Sequence, residues 1–589
     1  MKNSLMHHLG PGKIRQTGPL GKMLELSIAN RLKKVNYAHL VDPFRFRYEN
    51  DNAWRCEFWG KIVRSAILSW CGDPDPELLK IIKDTVNDLL STQTQDGCIS
   101  SYPAEKQVCL GGWDIWGRKY VLLTLARYYN FVEKDERIPE ACGKVLSHLM
   151  TQVGPDAADI LDTGWHDGLA SSSILDAVVE VWRLTHEKKY LDYAEWIVSR
   201  GGSRKHNIFK AVLAGVPPCE LGNGKAYEMM SCFQGLAELY LEVGKPEYLQ
   251  AVRTFYQAVR DREIFLTGVG GSKDIFGEYW NDTALRQLET GCGSFGETCV
   301  TTTWLHYCEC VMRLTGESTV ADELERSLYN GILGGVDPDG SCWIHANPTP
   351  LAGISCKIPS DDQIKRGFKM PFDGHDCCLA QGPEALAMSP YCAVFSESDA
   401  PTINFYEDAE IEFDAPSGRT GKIRIEGGYP AAVNVRIALQ LEKAERFTLA
   451  LRIPAWSGKE TAVLLNGEKV FSVAGKYCRI SREWQTEDVL VIRFDRNIRV
   501  LRDADRAAVL CGPLVMVQDR RFGKVDSVLH DLDFELAETP GSCLNALLNR
   551  HGEQLIDYAS AGKPFDPENT LCIWMKTSDK NNKKEEIPS

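Results

Sequence analysis

The chain has 589 residues and 65.9 kDa, enough for one large domain and one or two smaller ones. A net charge of -14 and a pI near 5.5 exclude the basic footprint of a nucleic-acid binder and disfavour an anionic membrane surface. The start, Met1 to Pro11, carries no apolar signal core, and no run approaches the length of a membrane span. A cytoplasmic location is therefore expected, in which the 20 irregularly spaced cysteines stay reduced and free to bind metal.

From about residue 50 to 335 the pattern is helical. Trp54–Trp70, Glu77–Leu90, Trp113–Phe131 and Ser171–Leu184 carry apolar residues at three-four spacing, with Leu122, Leu125, Ala126 and Tyr129 on one face. Leu184–Leu191, Glu242–Leu249 and Leu314–Ala321 repeat one polar turn between apolar segments, and Phe131–Ile138 is a weaker copy. Helix pairs recurring at this spacing predict an α/α toroid or solenoid. The long connections 201–225 and 266–296 would gather at one rim, where binding residues collect.

Near residue 395 the period becomes two. Phe447, Leu449, Leu451 and Ile453 alternate with Thr448, Ala450 and Arg452. Asn466-Gly467 between Ala462–Leu465 and Val470–Val473 predicts a two-residue hairpin. The expected domains are a helical unit over 1–395, a β-sandwich over 396–520, and a β-rich segment over 521–589 ending in a frayed charged tail.

Two motifs carry candidate chemistry. Glu297-Thr-Cys299 opens a helical run, and Cys377-Cys378 lies in a turn before another helix. One carboxylate and three thiols make a complete tetrahedral set for zinc. Small, buried, inert cysteines are the other reading. A metal-bound thiolate is already deprotonated and is a nucleophile wherever substrate reaches it. It then needs a partner acid, usually a glutamate, and the candidates before the triplet are Glu278 and Glu289. Trp54, Trp59, Trp113, Trp116, Trp165, Trp280, Trp304 and Trp343 offer faces for sugar rings or fill a core. His345 and His375 flank the proposed metal in loops. The chain lacks the phosphate-binding Gly-rich motifs and His-Glu-x-x-His.

Taken in order, several stretches resemble the β-L-arabinofuranosidase family, glycoside hydrolase family 127. They are Trp113–Tyr120, Thr267–Gly271, Phe276–Glu278, Glu297–Cys299, Ala321–Asn330, Asn347-Pro348, Cys377-Cys378, Leu451–Trp456, Leu465–Gly467 and Gly512–Leu514, spanning roughly 50–515. The resemblance implies an (α/α)₆ barrel followed by antiparallel β-sandwich domains. It implies zinc held by Glu297, Cys299, Cys377 and Cys378, with Cys377 as nucleophile and Glu278 as acid/base of a retaining glycosidase.

The sugar pocket departs from the family. Trp113-Asp114 replaces a His-Glu pair, Gly168-Leu-Ala replaces a Gly-His, and Tyr227-Glu228 stands where another Gly-His is expected. His345 takes a tyrosine position, whereas His375 matches. These six residues (Trp113, Asp114, Tyr227, Glu228, His345 and His375) are the expected substrate contacts. The expected substrate is a short oligosaccharide or small glycoside, β-L-arabinofuranosides among them. A zinc-dependent transferase and a non-catalytic carbohydrate binder with structural zinc are the competing functions. Assembly as a homodimer is left open.

Overall fold

The structure is a computed structural model that describes residues 3–49, 54–271, 278–286, 288, 295–348, 355–357, 376–397 and 400–578. His375, Glu289, Phe276-Gly277 and the charged tail lie outside the described residues.

Thirteen helices of nine residues or more build the first part of the chain among the described residues. They are α1 (Pro19–Asn30), α2 (Tyr37–Phe46), α3 (Cys56–Gly72), α4 (Pro76–Leu90), α5 (Asp114–Phe131), α6 (Arg137–Gln152), α7 (Leu175–Thr185), α8 (Lys188–Arg200), α9 (Ala226–Val243), α10 (Pro246–Arg262), α11 (Thr298–Thr315), α12 (Ser318–Arg326) and α13 (Cys377–Ala393). Helices α3, α5, α7, α9, α11 and α13 pack in that order and α13 closes back onto α3, so six helices form an inner ring. Each carries an outer partner: α4, α6, α8, α10, α12 and, for α13, α1. This is the expected (α/α)₆ barrel.

Inner and outer helices differ in sequence for a physical reason. An inner helix touches neighbours on all sides, so α3 and α11 are buried along almost every residue. An outer helix has one wet face, and α4 buries only Leu78, Ile82, Thr85, Val86 and Leu89. The repeated polar turns each join an inner helix to its outer partner. Three of them end the inner helix on a left-handed residue, His186 (φ 56°), Gly244 (φ 68°) or Gly316 (φ 64°). Two inner helices approach closely at glycine: a Cβ on Gly60 of α3 would stand 2.4 Å from Tyr120 Cβ of α5.

Two antiparallel-rich sheets follow. One orders Glu468–Val470, Ala462–Leu465, Val489–Arg493, Asn434–Gln440, Thr420–Glu426, Ala409–Asp414 and Ile14–Gln16. The other orders His7–His8, Val394–Glu397, Ala400–Ile403, Glu445–Ile453 and Lys476–Trp484. Each therefore takes an edge strand from the first sixteen residues, His7 opposite Ser396 and Ile14 opposite Ile411. The hairpin stands as expected, with Leu465 paired to Glu468 and positive φ at Asn466 (50°) and Gly467 (90°).

Alternation holds at the start of Glu445–Ile453, then stops: Leu449 to Ile453 are all buried. The second face of that strand lies against the barrel. Arg452 there donates to Asn404 O (2.7 Å), pairs with Asp322, and meets Glu325 Oε1 at 2.5 Å. Glu325 also accepts from Tyr429 (2.6 Å) and Trp456 Nε1 (2.9 Å). Asn330 donates to Pro513 O (2.9 Å) and accepts from Val515 N (2.9 Å). Three of the family-like motifs thus meet here and lock the helical part to the strands.

Strands from Ile498 to Asp519 hydrogen-bond with strands of 534–576, not with the sandwich. The expected boundary at 520 therefore falls inside this third sheet, whose core includes Leu510, Val515, Val517, Ile556 and Trp574.

Candidate active site

The candidate residues gather where inner helices begin. Glu297 is the N-cap of α11 and Cys299 its second residue. Cys377 and Cys378 open α13, whose N-cap Asp376 accepts from Leu379 N at 2.7 Å. Helix starts present unsatisfied N–H groups and positive dipole ends, which favour thiolate and carboxylate.

The strand Phe295–Glu297 pairs with Ala346–Pro348, and Glu297 N donates to Gly270 O at 3.0 Å. The Thr267–Gly271 motif packs tightly on both sides: a Cβ on Gly296 would stand 2.8 Å from Val269 Cγ2, and Gly268, with φ 75°, has Ser327 Cα 2.6 Å from where its Cβ would be. Asn347 donates to Thr298 Oγ1 (3.2 Å), which itself donates to Ile344 O (2.7 Å), fixing the entry into α11.

One donor atom from each of Glu297, Cys299, Cys377 and Cys378 lies within 4.8 Å of the others. Cys377 Sγ is 3.3 Å from Glu297 Oε1 and 3.9 Å from Cys378 Sγ, and Cys378 Sγ is 3.8 Å from Glu297 Oε1. Four donors around one zinc ion stand about 3.3–3.8 Å apart, so the residues fit such an ion. Glu297 (2% exposed), Cys299 and Cys378 (both 0%) are sealed, whereas Cys377 is partly exposed. Thiol hydrogen bonds from Cys299 and Cys378, aided by His345, hold Cys377 well below the ordinary thiol range; burial pushes the other two thiols and the Glu297 carboxyl up.

His345 faces this cluster, its Nδ1 3.7 Å from Cys378 Sγ and 3.5 Å from Asp376 Oδ2. Glu278 reaches the cluster too: its carboxylate, that of Glu297 and a ring nitrogen of His345 lie within 4.8 Å of one another. Backbone pairing positions it, Ala226 N donating to Glu278 O (2.9 Å) and Trp280 N to Gly224 O (2.9 Å).

The other expected contacts divide. Trp113 is half-buried at the rim beside Trp54, Trp116 and His166, with ring centroids 5.7 Å from the last. Glu228 is buried with Oε1 3.8 Å from His166 Nε2, and its Oε2 has no hydrogen-bond partner among the described residues. The Tyr227 hydroxyl meets that of Tyr120 and donates to Gln381 Oε1 at 3.1 Å, beneath the cluster. Asp114 is committed elsewhere: it binds Arg118 (3.1 and 2.8 Å) and accepts from Ser100 Oγ (2.5 Å). Of the tryptophans, Trp59, Trp280, Trp304 and Trp343 are core, while Trp54 and Trp165 remain 40% and 38% exposed at the rim.

Four residues escaped the sequence reading. His166 meets Trp113 and Glu228 from two positions before Gly168, where a histidine seemed missing; it and Asp167 hold positive φ (59° and 57°), strain of the kind that functional sites retain. Lys225 forms an ion pair with Glu278. Burial opposes its charge, but Glu228 and Glu278 raise its pKa. Glu57 and Lys61 pair at 3.0 Å inside the barrel, and Trp116 Nε1 donates to Glu57 Oε2 at 2.5 Å. A charged i,i+4 pair near the start of a largely apolar helix was the available signal. For Lys225 the signal was weaker, a lone lysine after Gly224.

The profile of the β-L-arabinofuranosidase GH127 catalytic domain matches residues 19–390, and that of the GH127 middle domain matches 402–496. A non-reducing end β-L-arabinofuranosidase of Bifidobacterium longum subsp. longum is 23% identical over 517 residues, covering 78% of this chain and 76% of that protein. The solved structure of a GH127 β-arabinofuranosidase superposes with a TM-score of 0.78 at 19% identity over 98% of each chain. That of a GH127 β-L-arabinofuranosidase from Geobacillus stearothermophilus gives 0.73 at 20%, covering 96% of this chain and 100% of the other. The fold and the matched catalytic domain define a glycoside hydrolase. More narrowly, the chain belongs to glycoside hydrolase family 127, the family of β-L-arabinofuranosidases. Hydrolysis, not group transfer or mere binding, is the function class this membership carries. No helix among the described residues is long and apolar enough to cross a membrane.

Proposed function

We propose that this chain is a retaining glycosidase with Cys377 as nucleophile and Glu278 as acid/base. It cleaves short oligosaccharides or small glycosides, β-L-arabinofuranosides among them. Glu297, Cys299, Cys377 and Cys378 would hold zinc, which when bound keeps the thiols deprotonated.

Cys377 Sγ attacks the anomeric carbon, and the bond to the leaving oxygen breaks as Glu278 protonates that oxygen. Glu278 then takes a proton from water, the water oxygen bonds to the anomeric carbon, and the sulfur leaves. This is double displacement with sulfur in place of the usual carboxylate. Lys225 pairs with Glu278 and fixes its carboxylate in place. Trp113 and His166 suit a sugar face, and the unpartnered Glu228 oxygen suits a hydroxyl. His345 and Tyr227 would support these contacts from beside and beneath the cluster.

The observation that carries the reading is the partial exposure of Cys377 among three sealed ligands. A panel of aryl furanosides and pyranosides, applied to zinc-loaded reduced protein, would identify the sugar. With the best aryl glycoside, Glu278→Gln should slow turnover by about 10²–10⁴-fold and accumulate a sugar adduct on Cys377, seen by peptide mass spectrometry. An adduct elsewhere, or turnover by Cys377→Ser near the parent rate, would overturn it.

A further inference from the structure

A second cluster lies behind the segment that carries Glu278. Cys219 sits in the short turn Pro218–Glu220, Glu263 caps the C-terminus of α10, and Asp282 follows Trp280 and Asn281. One donor atom of each lies within 4.8 Å of the other two. Glu263 is completely buried; its Oε2 accepts from Asn281 N at 2.9 Å and sits 3.4 Å from Thr283 N. Its Oε1 is buried and has no hydrogen-bond partner among the described residues. A buried carboxylate beside a thiol and a second carboxylate, with one oxygen unpartnered, is costly unless a cation or a proton fills the gap.

Arg262 does not fill it. It donates to Asp282 Oδ1 (2.8 Å) and Oδ2 (2.9 Å), which orients that carboxylate while leaving each oxygen a further lone pair. Supporting bonds of this kind are the usual setting of a ligating carboxylate.

From this geometry we infer that Cys219, Glu263 and Asp282 form a second, structural site for a divalent cation of borderline softness, zinc by preference. One thiolate and two carboxylates, together with the Arg262 cation, are neutralised by one divalent ion. Sulfur with oxygen donors selects zinc over magnesium or calcium. The ion would tie the end of α10 and the 218–220 turn to the loop just after Glu278, and so hold the acid/base in place from outside the catalytic cluster.

Metal counting on the full chain tests it. Protein loaded with zinc and passed through metal-free buffer should carry about two ions per chain, Cys219→Ala about one, and Cys299→Ala about one. A parent holding about one ion, unchanged in Cys219→Ala, would overturn the inference and leave a proton shared by Glu263 and Asp282 as the gap-filler. Should Cys219→Ala fail to fold, cobalt titration of the parent and of Asp282→Asn decides. The thiolate-to-cobalt absorption of the parent should saturate near two equivalents and that of Asp282→Asn near one. Saturation of the parent near one equivalent, unchanged in Asp282→Asn, would equally overturn the inference.

Discussion

Glu384, on α13 beneath Cys377 and Cys378, is the clearest single-residue case of a buried charge held by its neighbours. Its Oε1 lies 3.0 Å from Arg64, 2.5 Å from Arg127 and 3.1 Å from His306 Nε2. Burial alone would raise its pKa; Arg64, His306 and Arg127 outweigh that and hold it well below the carboxylate range. A depressed acid contributes stability above its unfolded value, near pH 4.3, that is lost as pH falls through its folded value. Glu384→Gln should therefore cost about 3–5 kcal/mol at pH 7, because it leaves two arginines without their anion. The difference from the parent should shrink in acid below about pH 4 as the parent carboxylate protonates. Urea midpoints at the two pH values measure both. An equal difference at neutral and acid pH would mean that the carboxylate's charge is not what stabilises the barrel axis.

Between elements, glycines set the spacing of the α3–α5 contact. Gly60 faces Tyr120, and Gly117 faces Cys56, where an added Cβ would stand 2.5 Å from the cysteine Cβ. The same two helices carry Glu57, Lys61 and Trp116, so the close approach is what brings that buried ion pair to its indole. Propensity alone says that Gly60→Ala should stabilise α3 by about 1 kcal/mol. The contact predicts the opposite sign, a loss of about 1–3 kcal/mol from overpacking against Tyr120 backbone and Cβ. Chemical denaturation gives the sign directly. A stabilised Gly60→Ala would show that the helices separate without cost.

At the scale of the whole molecule, barrel and strands are bound by a buried charge cluster. Arg452 is fully buried between Asp322 and Glu325 of α12, and burial pushes Asp322 up to about 7. Removing the cation strands two carboxyls in a dry interface. Arg452→Met is expected to cost about 3–5 kcal/mol and to split a single calorimetric transition into two, the helical part and the strands unfolding apart. One unshifted transition would show that the edge strands His7–His8 and Ile14–Gln16, with the third sheet, suffice to couple the two parts.

The amino-acid sequence alone determined the helix pairs, the change to period two near residue 395, the Asn466-Gly467 hairpin and the two motifs that supply thiols and carboxylate. These are local properties: three-four spacing, alternation and turn chemistry act over a few residues. The Glu297–Cys299 and Cys377-Cys378 motifs were readable because each pair of donors is packed into one turn of chain. What only the tertiary structure decided is long-range. Closure of six helices brought Glu278, His345 and the four donors, over eighty residues of chain, within a few ångströms. It turned Asp114 away into an ion pair with Arg118 and brought in His166, Lys225, Glu57 and Lys61. It also showed that Ala321–Asn330, Leu451–Trp456 and Gly512–Leu514 serve an interface instead of the chemistry. Which side of a helix meets which neighbour depends on packing that no short window of sequence encodes.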